Sequence, residues 1–190
     1  MSVAAVAGHD SALVGGLAVS VRSEPRFTRD ADIVVAVSTD DDSEALVHAF
    51  IRNGYQLKAI LEQSGVTRLS GARLIDPQGI EIDVLVASSG IEVEIAAAAD
   101  AVEIEPGRLV KVARTGHLVA LKLLSVAVGR ETDASDLRAL ARVADTEEWT
   151  LAAQSVVDIT SRGFNRGRDL VNALRQLREN SRVEVPEVGP

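Results

Sequence analysis

No cysteine occurs in the 190 residues, which excludes disulfide frameworks, thiolate zinc sites and cysteine nucleophiles together. A reducing compartment, the cytoplasm, is the default expectation for such a chain. Aromatic residues make up only 3%, too few for a surface that stacks successive bases. Histidine occurs only at His9, His48 and His117, none at a metal-ligand or nucleophile–base spacing, and no serine-triad motif is present. Hydrolase readings fall away. Long apolar runs are missing too. The most apolar stretch, Leu118 to Val128, is about 11 residues and contains Lys122, whereas a membrane span needs roughly 20. The opening segment MSVAAVAGHDSALVGG has no basic stretch ahead of its apolar residues and is soon interrupted by Asp10. No secretory leader and no membrane association are expected.

What is present is ordinary globular material, with 46% hydrophobic and 25% charged residues. The length corresponds to about 1.3 domains, and a chain of this size buries roughly 70% of its unfolded surface. Twenty basic residues against 28 acidic ones leave a formal charge of -8, which disfavours a surface devoted to a long nucleic acid. The charge is unevenly spread. From Arg162 to Arg182 six arginines face only Asp169 and Glu179, so that segment carries +4 and the remainder -12. The segment could meet a local anionic partner, or be a solvated helix face packed on acidic neighbours.

Residues 1–113 mix period-two patterns with short helices, and residues 114–190 read as helical, with no proline between Gly107 and Val185. An α+β core followed by a helical region packed on it is expected. Ala12 to Val14 suits a short strand, Gly16 to Ser23 a helix, and Ala31 to Val37 a strand that the acidic stretch Asp40 to Asp42 ends. Ser43, with Leu46, Val47, Phe50 and Ile51 behind it and Asn53-Gly54 closing, has the cap and spacing of an amphipathic helix. Asp76-Pro77-Gln78-Gly79 should join Arg68–Ile75 to Ile80–Ala87 as an antiparallel hairpin. A second strand pair is expected around Glu105-Pro106-Gly107-Arg108. Helices are predicted over Gly116–Val128, Ala134–Ala144, Glu147–Ser161 and Gly167–Asn180, and the alanine run Ala96–Ala99 fits a helix or a strand edge.

The chemistry is concentrated in LVGGLAVSVRSEPRFTRDADIVV, residues 13–35. In a strand, Asp30 and Asp32 project from one side and Ala31 from the other. The apolar run Ile33 to Val37 behind them places the pair at the end of a buried strand. On the second hairpin strand Glu81, Asp83 and Leu85 share a face opposite to Ile80, Ile82, Val84 and Val86. If the two strands are neighbours, three carboxylates converge, and each like-charge pair at ~4 Å repels by roughly 4 kcal/mol at an effective dielectric near ~20. Such a cluster calls for a cation. All-oxygen ligands favour Mg²⁺, which bridges phosphate oxygens, so a nucleoside triphosphate is the implied substrate. Gly15-Gly16 ahead of a helix would let backbone N–H groups approach a phosphate, or simply make a tight strand-to-helix turn.

Lys122 sits in HLVALKLLSVAV, a helix apolar nearly all round, where its ammonium must snorkel to water or find an anion. A triphosphate is one such anion. Arg130 follows, and then Asp133 and Asp136, which share a helix face and could orient Lys122 or merely complement the helix dipole.

The series Gly15-Gly16, Arg26-x-Thr28-x-Asp30-x-Asp32, Asp76-Pro77-x-Gly79 leading to Asp83, then Lys122, Arg130, Asp133 and Asp136 resembles the nucleotidyltransferase superfamily, in its AbiEii-like branch. The resemblance covers roughly residues 12 to 140. It implies a mixed sheet flanked by helices and a Gly-Gly turn, at Gly15 and Gly16, that holds phosphates. It also implies Mg²⁺ on Asp30 and Asp32, with Asp83 as the third carboxylate and metal ligand, placed to activate an acceptor hydroxyl. Lys122 would grip the triphosphate. Arg26, Thr28 and Asp136 match further motif positions and are expected on the nucleotide side. Many superfamily members carry serine where Gly16 stands, and the third carboxylate varies within the branch.

The resemblance thus implies Mg²⁺-dependent transfer of a nucleoside monophosphate to an acceptor hydroxyl. Because the branch contains toxins of toxin–antitoxin pairs, RNA is an expected acceptor and an antitoxin protein an expected partner. Adenylylation of a small hydroxylated compound such as an aminoglycoside, drawn by the acidic surface, is the alternative. A non-catalytic nucleotide- or partner-binding protein on the same scaffold is a third reading, which the presence of Asp30, Asp32 and Lys122 disfavours.

Overall fold

The computed structural model describes residues 8–28, 30–62, 69–126 and 131–183; Arg130 lies outside the described residues. The chain enters as β1 (Ser11–Val14), turns directly into α1 (Gly15–Arg22) and returns antiparallel to β1 as β2 (Asp30–Val35). Helix α2 (Asp40–Arg52) leads to β3 (Gln56–Glu62), β4 (Leu69–Ile75) and β5 (Glu81–Leu85). Helix α3 (Glu92–Ala98) and the hairpin β6 (Asp100–Glu105) and β7 (Arg108–Val112) complete the sheet. Four helices follow: α4 (Thr115–Ser125), α5 (Glu131–Val143), α6 (Thr146–Ser161) and α7 (Leu170–Val183).

The described strands form one mixed sheet in the order β3-β4-β5-β2-β1-β7-β6. Its centre is β2, antiparallel to β1 and parallel to β5. Ile33, Val34 and Val35 are all buried, so both faces of this strand are covered, as a run without alternation requires. The hairpin at Asp76–Gly79 forms because Asp76 Oδ1 accepts from the Gln78 and Ile80 N–H groups, each at 2.8 Å, closing the turn with its own side chain. One apolar cluster runs without interruption from Leu13, Val34 and Val84 in the sheet to Leu118, Leu140, Ile159 and Leu170 in the helices. Arg22, at the end of α1, fastens that helix to the far side of the sheet. It donates from Nε to the Ala113 carbonyl at 2.9 Å and from Nη2 to that of Val112 at 2.8 Å.

Two local expectations are corrected. Helix α2 starts at Asp40, not after Ser43: Thr39 Oγ1 caps it by accepting from the Asp42 N–H at 3.1 Å, and the three aspartates occupy the first turn, where the helix dipole favours acids. Strand β3 was not anticipated. It is an edge strand, exposed along almost its whole length, so it carries no alternation to read, and its pairing with β4 is what makes it a strand. The alanine run resolves as the end of helix α3. No helix among the described residues is long and apolar enough to cross a membrane.

Candidate active site

Because α1 begins on the residue after β1 ends, the chain must turn within a single step, and Gly15 does so at φ +65°. Space is the second constraint. A Cβ on Gly15 would lie 1.8 Å from Asp32 Oδ2, and one on Gly16 would lie 2.4 Å from Arg26 Nη2. The two glycines therefore let an anion and a cation close in on the corner from either side. The Gly16 N–H donates to the Asp32 carboxylate.

Strands β2 and β5 run in parallel register with Asp32 opposite Asp83 and Asp30 opposite Glu81. Asp32 is pushed up to about 6, first by burial and then by repulsion from Asp30 and Asp83; Lys122 and the Gly16 N–H pull the other way without cancelling it. Asp30 is more exposed, and Thr28 Oγ1 donates to its Oδ1 at 2.8 Å. Asp83 is buried, and both of its oxygens accept from Arg73 on β4, at 2.8 Å from Nε and 2.7 Å from Nη2. Arg73 lies opposite Asp83 in the β4–β5 register and also stands 3.2 Å from Glu81.

The three carboxylates expected to meet are thus adjacent, but the third is neutralised by a guanidinium that sequence reading did not supply. Among the described residues no three histidine or carboxylate side chains stand together as a ready metal cage. Magnesium does not need one, since one or two carboxylates, waters and substrate phosphates usually hold it. Asp30 and Asp32, hard oxygen donors with uncompensated charge, fit that demand.

Opposite the carboxylates, Lys122 from α4 reaches two aspartates of α5, with Nζ 2.8 Å from Asp133 Oδ1 and 2.7 Å from Asp136 Oδ2. Arg26 engages both oxygens of Asp136, donating from Nη2 to the same Oδ2 at 2.8 Å, with its Nε 2.7 Å from Oδ1. Lys122 therefore does not snorkel. The Asp136 side chain is only 1% exposed and is not part of the cleft wall, where a direct nucleotide contact was expected; it stands behind the wall, paired with Lys122 and Arg26. Asp133 does line the cleft, and its Oδ2 is buried without a hydrogen-bond partner among the described residues.

All of this surrounds one cleft of about 510 Å³, whose wall includes Gly15, Gly16, Arg26, Thr28, Asp30, Asp32, Asp83, Lys122 and Asp133 but not Asp136. Six polar wall residues were missed: Arg73, Ser88, Ser89, Ser125, Thr132 and Arg166. Arg73 and Arg166 had no local signal, because strand pairing and a helix–helix turn bring them in. Ser89 did have one. Ser89-x-x-Glu92 has the spacing of a capping box, and the buried Glu92 Oε1 accepts from the N–H groups of Ser88 and Ser89 at 2.7 and 2.6 Å and from both hydroxyls.

Residues 3–187 match the family model described as nucleotidyl transferase AbiEii toxin, type IV TA system. The chain belongs to the AbiEii family. It is accordingly a nucleotidyltransferase, on the mixed sheet with flanking helices described above. Among curated proteins no significant relative of this AbiEii chain is found. Similar solved structures include an antigenic nucleotidyltransferase-like protein from Paracoccidioides brasiliensis, 21% identical over 91% of this chain and 90% of that one, with a TM-score of 0.49. The antibiotic-resistance factor ANT(2'')-Ia is 17% identical over 96% and 86% of the two chains, with a TM-score of 0.49. The nucleotidyltransferase toxin MenT4 of Mycobacterium tuberculosis is 13% identical over 88% and 85%, with a TM-score of 0.38. The family assignment rests on the sequence match.

Proposed function

We propose that the cleft transfers a nucleoside monophosphate from a nucleoside triphosphate to an acceptor hydroxyl, with Mg²⁺ held by Asp30 and Asp32. The observation that carries this reading is the charge arrangement. A carboxylate pushed up to about 6, first by burial and then by Asp30 and Asp83, sits against a glycine corner and faces a lysine across the same cleft. Uncompensated anions suit a divalent ion, and the opposing cations suit a triphosphate.

A bound magnesium ion would neutralise charge developing on the α-phosphate and help align an in-line displacement. The chain's own residues do the rest. Thr28 orients the Asp30 carboxylate, and the Gly15–Gly16 corner lets Asp32 and Arg26 close in from either side. Lys122 and Arg26, fixed by Asp136, face the leaving pyrophosphate as rigid cations. The acceptor oxygen attacks the α-phosphorus, the bond to the bridging oxygen breaks, and Asp83 takes the hydroxyl proton. Arg73 holds Asp83 in one orientation and leaves each carboxylate oxygen a further lone pair.

We further propose, from the family description, that the protein is the toxin of a toxin–antitoxin pair and that an antitoxin opposes it; RNA as the acceptor and the cytoplasm as the compartment are part of the same proposal and go beyond that description. The test is incubation with each labelled triphosphate, Mg²⁺ and either total RNA or small hydroxylated compounds. Label in RNA that disappears with Asp30→Asn supports the whole reading. Label confined to a small compound retains the transferase and replaces the acceptor. No transfer from any of the four triphosphates, in the presence or absence of Mg²⁺, would sink it.

A further inference from the structure

The turn between α6 and α7, residues 162–169, uses its side chains unequally. Arg162 donates to the Gly90 carbonyl and pairs with Glu94 at 2.6 Å. Phe164 packs over Gly90, where a Cβ would meet its ring at 2.6 Å. Arg168 donates to the carbonyls of Leu123 and Val126 at the end of α4. These contacts tie the turn to the β5–α3 connection and to the helix that carries Lys122. Asn165 and Asp169 serve the turn itself, through bonds to the Arg168 carbonyl and the Asn172 N–H.

Arg166 stands apart from its neighbours. It is the non-glycine residue with positive φ among the described residues, at +54°, a conformation that a side-chain-bearing residue adopts only when its surroundings impose it. Its guanidinium donates to the Ser88 carbonyl at 3.1 Å, and no carboxylate among the described residues stands within ion-pair distance of it. Partial burial and then the neighbouring Arg168 lower its pKa from the ordinary arginine value, and the more distant Glu92 offsets only part of that. It lines the transferase cleft and also a second cavity of about 620 Å³, which shares Ser88 with the first and is otherwise walled by residues that include Ser70, Phe164 and, as its one carboxylate among the described lining residues, Glu62.

We propose that Arg166 is a phosphate-gripping residue of the enzyme, set at the junction of the cleft and the second cavity. This rests on the transferase reading of the cleft. A planar fork of donors with no carboxylate to satisfy it matches phosphate oxygens, which it can take in pairs. The same cation repels a polycationic acceptor. The phosphate has two sources, the triphosphate in the cleft or a phosphate of the acceptor in the second cavity.

Arg166→Gly removes the guanidinium while suiting the positive φ, so the variant should melt no lower than the wild type. Affinities for the four Mg²⁺–triphosphates and for short single-stranded RNA are measured on the wild type, Arg166→Gly, Arg166→Lys and Asp32→Asn by equilibrium dialysis. A loss of about ten- to a hundredfold in Arg166→Gly is expected for the probe whose phosphate Arg166 holds, with partial recovery in Arg166→Lys, which keeps the charge without the fork. Loss for the triphosphates places the contact in the cleft, and loss for RNA places it in the second cavity. Unchanged affinity for both probes overturns the proposal. If Asp32→Asn still weakens triphosphate binding, only the role of Arg166 falls; if Asp32→Asn is also without effect, or the wild type binds neither probe, the transferase reading falls with it.

Discussion

The two walls of the cleft handle charge in opposite ways. On the strand wall, Asp30, Asp32 and Asp83 stand against one guanidinium, that of Arg73, and Asp32 is left with a raised pKa. On the helix wall, Asp133 and Asp136 stand against Lys122 and Arg26, and the charges are matched. Both walls hold buried carboxylates, so burial alone does not distinguish a ligand from a brace. What distinguishes them is compensation. On the helix wall the two cations pair with the two aspartates, whereas the strand wall keeps an excess of negative charge, which is what the proposed divalent ion would balance.

The comparison breaks most sharply at Asp32. Asp32→Asn should lower nucleotidyl transfer on the order of a thousandfold or more, while the ion-free protein melts at the same temperature or higher, because a repulsive buried charge is gone. Pyrophosphate release and thermal melting read the two effects. A loss of folding in this variant would make the strand wall structural and erase the contrast.

Lys122→Met tests the helix wall. It leaves the buried Asp133 and Asp136 short of a cation, and a loss of about 3–5 kcal/mol is expected in denaturant titration, together with loss of transfer. An unchanged midpoint would mean that Arg26 alone satisfies Asp136.

The dependence on pH sharpens the picture further, because two groups oppose each other. Asp32 rises from 3.8 to about 6 on folding, so the folded state takes its proton more readily, and stability in ion-free protein increases as pH falls through that window. His117, buried in α4 between Arg114 and Glu148, falls from 6.5 to about 4, mainly through burial, so stability decreases as pH falls through its window. Each contribution is on the order of 3 kcal/mol at most, and in the wild type they offset one another. Asp32→Asn should expose the acid sensitivity caused by His117, seen as a midpoint that drops between neutral pH and pH ~4 more steeply than in the wild type. Identical pH profiles for the two proteins would remove Asp32 as the charged partner.

Gly15→Ala is the smallest of these changes. The positive φ and the approach to Asp32 Oδ2 should together destabilise the fold by about 1–3 kcal/mol and push the carboxylate out of place. Transfer should fall by more than the stability loss explains. A fully active Gly15→Ala enzyme would show that the corner is only a turn.

Much of this was legible from residue order. The strand carrying Asp30 and Asp32 was visible because two acids precede an apolar run, and the hairpin because Asp76 and Gly79 bracket a proline. The helix of Lys122 was visible because it is apolar all round. Edge strand β3 was not visible, since an exposed strand has no face to mark it, and the start of α2 was misread because aspartates suit a turn as well as a first helical turn.

Local pattern alone picked out the candidate acids, the glycine corner and the lysine, because alternating acids, paired glycines and amphipathic spacing are properties of neighbours along the chain. Tertiary structure alone decided how their charges are compensated. Arg73 comes from an adjacent strand, Asp136 lies 110 positions beyond Arg26, and Arg166 arrives on a turn between two later helices. Compensation depends on distance and burial in space, which separation along the chain does not encode.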